Sequence, residues 1–241
     1  MTRKGASSRD QVGPELLAAL NAGTEQTRTL SEMLVMDLAA LLETVAPHID
    51  AAPLRAIADQ GVTKRMELAG RLVLPCWRDL QDHCSDTVRG WVAYAIAAQP
   101  GLDLAQRLDL LRPLADDAHF GVREWAWLAL RPHVVADPGS ALELLAPWTA
   151  EASVNLRRFA SEATRPRGVW CAHIRALRDD PSPGLLVLEP LRGDENRYVQ
   201  DSVANWLNDA AKDHADWVRG VAESWRGSAS PYLLKRALRS L

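Results

Sequence analysis

Cysteine is scarce in this chain, with only Cys76, Cys84 and Cys171, and their spacing makes neither a CxxC pair nor a Cys/His ligand set. A disulfide framework and a zinc-type centre are therefore excluded, and a reducing cytosol is the simplest home. No apolar run approaches the roughly 18 residues that span a bilayer, and the opening MTRKGASSRDQVG lacks the apolar core of a signal peptide. Residues 1–13 read as a mobile tail on a cytoplasmic protein with no membrane role. The six histidines (48, 83, 119, 133, 173 and 214) form no HxxxH or HExxH pattern. No Ser/His/Asp triad can be assembled and no glycine-rich loop offers a nucleotide cradle, so no metal and no cofactor are expected. Positive charge is not in surplus either: the formal net charge is −3 with a pI near 6.1. Any nucleic-acid role has to rest on a local patch.

What is present is a composition of 47% hydrophobic and 24% charged residues over 241 positions, enough for a sizeable core and one domain, 14–241. Strand signals are nearly absent. Four segments align under one another: VRGWVAYAIA from Val88, VREWAWLALR from Val122, LRRFASEATR from Leu156 and VQDSVANWLN from Val199. Pro113, Pro147 and Pro190 each stand nine residues ahead of the last three, inside a preceding apolar segment. Each unit therefore reads as a helix, a polar turn and a second helix. Helix pairs repeating at about 34 to 47 residues are the sign of a HEAT-like α-solenoid, in which stacked pairs bury a core that none could bury alone. The expected fold is all-α, a right-handed superhelix with a concave face. Capping helices run to about residue 85 and clear repeats span 86–241. Thr29 with Glu32 three residues on predicts a capping box for one N-terminal helix.

The second helices of such repeats line the concave side, and the alignment shows what their outward stripe carries. One level holds Gly90, Glu124, Arg158 and Asp201; the next Tyr94, Leu128, Glu162 and Asn205; the third Ala97, Arg131, Arg165 and Asn208. The last three repeats thus supply carboxylates, arginines and amides at matching positions. The step before Val199 is the longest, and its excess follows Arg165, in PRGVWCAHIRALRDDPSPG. Residues 155–178 hold six arginines (157, 158, 165, 167, 175 and 178) against Glu162 alone, which predicts a local anion-binding surface. The same arginines also suit a solvated, ion-paired face, Glu162 with Arg158 and Arg165 in particular. Trp125, Trp127, Trp206 and Trp217 fit core or groove packing, although whether Trp206 points into the core or toward a ligand stays open. Trp170 reads equally as an anchor for the insertion or as an aromatic face for a base or a cation.

Four stretches, LNAGTEQTRTLSEMLVMDLAALL, FGVREWAWLALRP, NLRRFASEATRPRGVW and YVQDSVANWLNDAAKDH, resemble the AlkC-type DNA alkylation repair proteins, relatives of the AlkD glycosylases built from HEAT-like repeats. The likeness covers nearly all of residues 15–225. It implies a monomeric DNA glycosylase that hydrolyses the N-glycosidic bond of cationic N-alkylated bases in duplex DNA. 3-Methyladenine is the typical substrate and 3-methylcytosine a second one. Matched to the motifs, the catalytic acids are Glu124, Glu162 and Asp201, and Trp170, Arg165 and Asn205 surround the substrate. Arg131, Arg157, Arg158, Arg167 and Asn208 would hold the DNA backbone. The immunoglobulin-like domain that follows the solenoid in some AlkC-type members is not expected in these 241 residues. The competing reading is a non-catalytic HEAT-repeat scaffold that binds DNA or a protein partner.

Overall fold

Capped, amphipathic segments account for the architecture. The computed structural model describes residues 3–241 and contains sixteen α-helices and no strand among the described residues. The chain divides into two compact units, one comprising the residues up to Leu102 together with Asp117–Ala129, the other Asp103–Asp116 and Leu130–Leu241.

The first unit holds α1 (Pro14–Asn21), α2 (Leu30–Val35), α3 (Leu38–Val45), α4 (Ala52–Ala56), α5 (Val62–Leu72), α6 (Trp77–Leu80) and α7 (Asp86–Ala98). Its centre is α7, buried from Asp86 through Ala97. Helix α5 approaches it at Gly70, where an added Cβ would lie 2.3 Å from Tyr94 Cβ and 3.0 Å from the Trp91 carbonyl oxygen. Only a residue without a side chain permits that separation.

The expected mobile tail is not loose over residues 3–11. Arg3 donates to both Glu32 oxygens at 2.6 and 3.0 Å, the Ala6 amide donates to Glu32 at 2.8 Å, and Arg9–Gln11 forms a single 3-10 turn. The predicted cap forms by half. Thr29 accepts from the Glu32 amide at 3.3 Å, but the Glu32 carboxylate accepts from the Arg28 amide, one residue before the cap. Burial alone would raise the Glu32 carboxyl; the Arg3 guanidinium and the Ala6 and Arg28 amides outweigh it and hold it below the usual range.

The second unit opens with α8 (Leu104–Ala115), closed at its start by a full Asp103/Gln106 capping box. Helix α9 (Phe120–Ala136) lends Phe120–Ala129 to the first unit and its remainder to the second. There follow α10 (Pro138–Leu145), α11 (Val154–Ala163), α12 (Arg175–Asp179), α13 (Leu185–Leu188), α14 (Arg197–Ala210), α15 (Ala215–Ser224) and α16 (Pro231–Ala237). The aligned segments lie on α7, α9, α11 and α14, so the helical repeat is real. The leading helix of each pair weakens along the chain. Pro113 is inside α8, Pro147 turns the end of α10 into a 3-10 segment (Ala146–Ala150), and Pro190 follows a single helical turn, α13. Helix α14 buries Val199, Val203, Trp206 and Leu207 completely. Trp206 belongs to the core: its indole donates to the Thr164 carbonyl at 3.0 Å and its ring packs where a Gly184 side chain would otherwise sit.

Arginine at the second position of the aligned segments fastens the repeats. Arg89 donates to the carbonyls of His83 and Cys84 at 2.7 and 3.0 Å, Arg123 to those of Asp117 and Ala118 at 2.6 and 3.0 Å, and Arg157 to those of Glu151 and Ala152, both at 2.9 Å. Each ties down the turn that precedes its own helix. Arg89 also pairs with Asp117 at 2.8 Å and Arg157 with Asp194 at 2.6 Å, carboxylates of the following turn.

Candidate active site

Glu162, on α11, is the centre of a buried ionic cluster in the second unit and is 4% exposed. Arg165 donates to its Oε1 at 2.6 Å and, through Nε and Nη2, to Asp209 Oδ2 at 2.9 and 2.7 Å. The Ser202 hydroxyl donates to Glu162 Oε2 at 2.6 Å, and Arg158 lies 3.6 Å from the same oxygen. Burial would push the Glu162 carboxyl up, but the Arg158 and Arg165 cations and the Ser202 hydroxyl prevail and hold it below the ordinary carboxylate range. Arg165 is raised in turn, because Glu162 and Asp209 outweigh its own burial. The surrounding cations and hydroxyl thus favour the ionised form of Glu162.

The insertion after Arg165 is a loop closed at its base, where the Ile174 amide donates to the Pro166 carbonyl at 3.0 Å. Ile174 and Leu177 are its apolar anchors, both buried. Trp170 is not an anchor: it is 50% exposed beside the exposed Val169. Its φ of 63° puts it in the left-handed region, which a non-glycine residue adopts only at a cost. Such strain persists where the surroundings impose it. Here Arg131 of α9 donates to the carbonyls of Ala172, Ala163 and Arg165 at 2.8, 2.9 and 2.6 Å. One buried guanidinium thus holds the far side of the Trp170 loop, the end of α11 and the backbone of Arg165.

The polar stripe of α14 faces the C-terminal helix. Tyr232 donates to Asp201 Oδ1 at 2.5 Å, and Arg236 Nε lies 3.3 Å from the same atom. Asn205 Oδ1 accepts from Arg236 at 3.4 Å and Arg239 at 3.2 Å, and Asn208 donates to the Ala237 carbonyl at 3.3 Å and to Ser240 at 3.0 Å. The stripe and Tyr232, Arg236 and Arg239 share the spacing i, i+4, i+7, so two polar faces meet in register. Burial is graded along this seam: Asn208 is buried and Asp201 is 36% exposed. Both Asp201 contacts use Oδ1. In the first unit Glu124 is half-buried, and the Trp127 indole donates to its Oε2 at 2.9 Å.

The predicted anion-binding surface over residues 155–178 is corrected by the geometry, because each of its arginines meets a carboxylate. Arg157 pairs with Asp194, Arg158 and Arg165 with Glu162, Arg167 and Arg178 with Asp213, and Arg175 with Asp179. Arg158 also lies over the Tyr198 ring, 4.3 Å from its centroid. As DNA-backbone contacts, Arg131 and Asn208 are corrected as well: both are buried and bonded to main-chain carbonyls. Arg157 is engaged in fastening turns. The residues that sequence reasoning missed are Tyr232, Arg236 and Arg239. They lie past the last aligned segment, and their only signal was an i, i+4, i+7 spacing that matches the α14 stripe.

A family model described as DNA alkylation repair enzyme matches residues 92–241, a span that contains every residue assigned above to the site. The uncharacterized protein YhaZ of Bacillus subtilis (strain 168) is 46% identical over 74 residues, 30% of this chain and 21% of that protein. Among solved structures, Pseudomonas fluorescens alkylpurine DNA glycosylase AlkC, bound to DNA containing an abasic site analog, superposes with a TM-score of 0.67 at 24% identity. The match covers 87% of this chain and 62% of that one. AlkD2 from Streptococcus mutans gives 0.59 at 17% identity, covering 77% and 96%. At these identities the structural likeness establishes the helical-repeat fold.

Proposed function

Because the chain belongs to the DNA alkylation repair enzyme family, we propose that it is a DNA glycosylase, which hydrolyses the N-glycosidic bond of cationic N-alkylated bases in duplex DNA. The substrates are 3-methyladenine and 3-methylcytosine. The observation that carries this reading is Trp170, a large aromatic side chain held half-exposed in a strained backbone by the clamp that also grips the Arg165 main chain. An aromatic face presented in that way suits a positively charged base, by a cation–π contact of about 0.5 to 2 kcal/mol.

Alkylation leaves the base cationic and already a good leaving group, so the demand on a general acid is small. What remains is to stabilise an oxocarbenium-like sugar and to position water, which ionised carboxylates do well. Asp201 is the carboxylate in the second unit best suited to face the sugar. Tyr232 and Arg236 hold Oδ1 and leave Oδ2 to the substrate. Glu162 is too enclosed to meet a nucleotide directly and serves as the negative centre that orients Arg158 and Arg165. In the first unit Glu124, whose Oε2 accepts from the Trp127 indole, is the other carboxylate that the motif match offers as a catalytic acid.

The deciding experiment is incubation of the purified protein with methylated duplex DNA, followed by chromatography of the released bases. Free 3-methyladenine is expected, with a strong reduction for Asp201→Asn and Glu124→Gln while DNA binding is retained. Absence of released base with binding intact would establish the scaffold reading instead. Wild-type rates in both variants would remove the site assignment.

A further inference from the structure

The arginines that the sequence offered for DNA are engaged by carboxylates or, for Arg131, by main-chain carbonyls, so the exposed cations without such partners become the informative ones. In the second unit the exposed ones gather at the C-terminal helix. Residues 224–241 contain Arg226, Lys235, Arg236 and Arg239 and no Asp or Glu. Arg226 is paired with Glu223 and Arg236 with Asp201. Lys235 and Arg239 are exposed, and among the described residues neither has a carboxylate within ion-pair distance; Arg239 makes only its bond to the Asn205 amide. Arg197, at the start of α14, joins them. It is exposed, and its guanidinium lies 3.3 Å from the centroid of the Tyr232 ring, the same tyrosine that binds Asp201.

We propose that Arg197, Lys235 and Arg239, together with Arg236, form the surface that holds the phosphate backbone of duplex DNA beside Asp201. Uncompensated like charges held close together repel one another, and a polyanion relieves that cost. Arg197 is flattened on an aromatic ring, which pre-organises a guanidinium for phosphate without neutralising it. Arg236 and Arg239 reach Asp201 and Asn205, the open end of the α14 seam, Arg197 lies on the Tyr232 ring that binds Asp201, and Lys235 precedes Arg236 on α16. The inference rests on DNA being the substrate, and it assigns the backbone contact to residues outside the four aligned segments.

The test is the salt dependence of binding to an undamaged duplex oligonucleotide, measured beside base release from methylated duplex. Each phosphate contact contributes about 0.9 to the slope of log K against log salt. The double variant Lys235→Gln with Arg239→Gln is expected to flatten the slope by about 1.8, and adding Arg197→Gln by about 0.9 more. Melting temperatures should stay at the wild-type value, and Arg226→Gln should leave the slope alone. If wild-type protein binds with the expected slope dependence but releases no base, this surface stands and the glycosylase reading falls. The surface is overturned if base is released yet the double variant keeps the wild-type slope. It is equally overturned if Arg226→Gln flattens the slope as much, or if the wild-type protein does not bind duplex DNA.

Discussion

Arg131 donates to the carbonyl oxygen of Ala172 at 2.8 Å, a bond that spans 41 positions of sequence and ties the buried interior of the unit to the loop that carries Trp170. Hydrogen bonds from a charged donor contribute about 1.5 to 3 kcal/mol each, and Arg131 makes three. Burying the guanidinium offsets part of that sum, so Arg131→Met is expected to lower the unfolding free energy in urea by about 2 to 4 kcal/mol, with Arg131→Lys recovering part of it. A loss below about 1 kcal/mol would show that the clamp does not hold this region together.

Glu162 is buried among Arg158, Arg165 and Ser202, so its removal leaves cations without their common partner. Breaking a buried pair costs about 3 to 5 kcal/mol. Glu162→Gln should fall near the lower figure, because Arg165 keeps Asp209. Thermal denaturation in parallel with Ser202→Ala, which removes one hydrogen bond and should cost about 1 kcal/mol, separates the ionic contribution from the hydroxyl's.

Trp170 sets stability against activity. Glycine adopts a φ of 63° without the cost that other residues meet there, about 1 to 2 kcal/mol. Trp170→Gly should therefore melt no lower than wild type, while release of 3-methyladenine falls by about 2- to 30-fold, the cation–π contribution expressed as a rate. Trp170→Phe should retain most of that rate. A glycine variant that melts well below wild type would mean that the ring packs into the fold.

Asp213 gives the insertion a defined acid sensitivity. Hydrogen bonds first from Arg178 and then from Arg167 bring its carboxyl down to about 2. A carboxylate whose folded value lies below its unfolded value of about 3.9 stabilises the fold above that pH and loses the contribution as the folded value is approached. Melting temperature should drop between about pH 4 and about pH 2, and Asp213→Asn should flatten that part of the profile. An unchanged acid limb in the variant would place the sensitivity elsewhere.

Gly70 tests the helix contact at the centre of the first unit. An added methyl group would sit 2.3 Å from Tyr94 Cβ, on backbone-anchored atoms that cannot swing aside. Gly70→Ala is expected to cost about 1 to 3 kcal/mol, although alanine is the better helix former. Equal or greater stability would show that α5 and α7 can separate without loss.

Much of the architecture was legible because it depends on local repetition. Apolar residues at helical spacing, the prolines before the aligned segments and the recurrence of those segments are enough to locate α7, α9, α11 and α14. Arginine recurs at positions 89, 123 and 157 in the same alignment, but its use in fastening turns depends on carbonyls that only the folded backbone aims at it. The fastening of residues 3–11 is not legible locally, because Glu32, which holds Arg3 and Ala6, gives no sign along the chain of where its partners lie.

The amino-acid sequence by itself determined the helices, their repeat and the membership of Glu124, Glu162, Asp201 and Trp170 in a recognisable pattern, since periodicity and motif are properties of neighbours along the chain. The tertiary structure alone decided which charges are free to act. Asp194, Asp209 and Asp213 lie 35 to 46 positions from the arginines they neutralise, and ion pairing falls off steeply with separation in space. A window of sequence could count six arginines against one glutamate in residues 155–178. Only folding showed that those charges were already matched, and that the polar stripe of α14 lies against Tyr232, Arg236 and Arg239 with Asp201 at its open end.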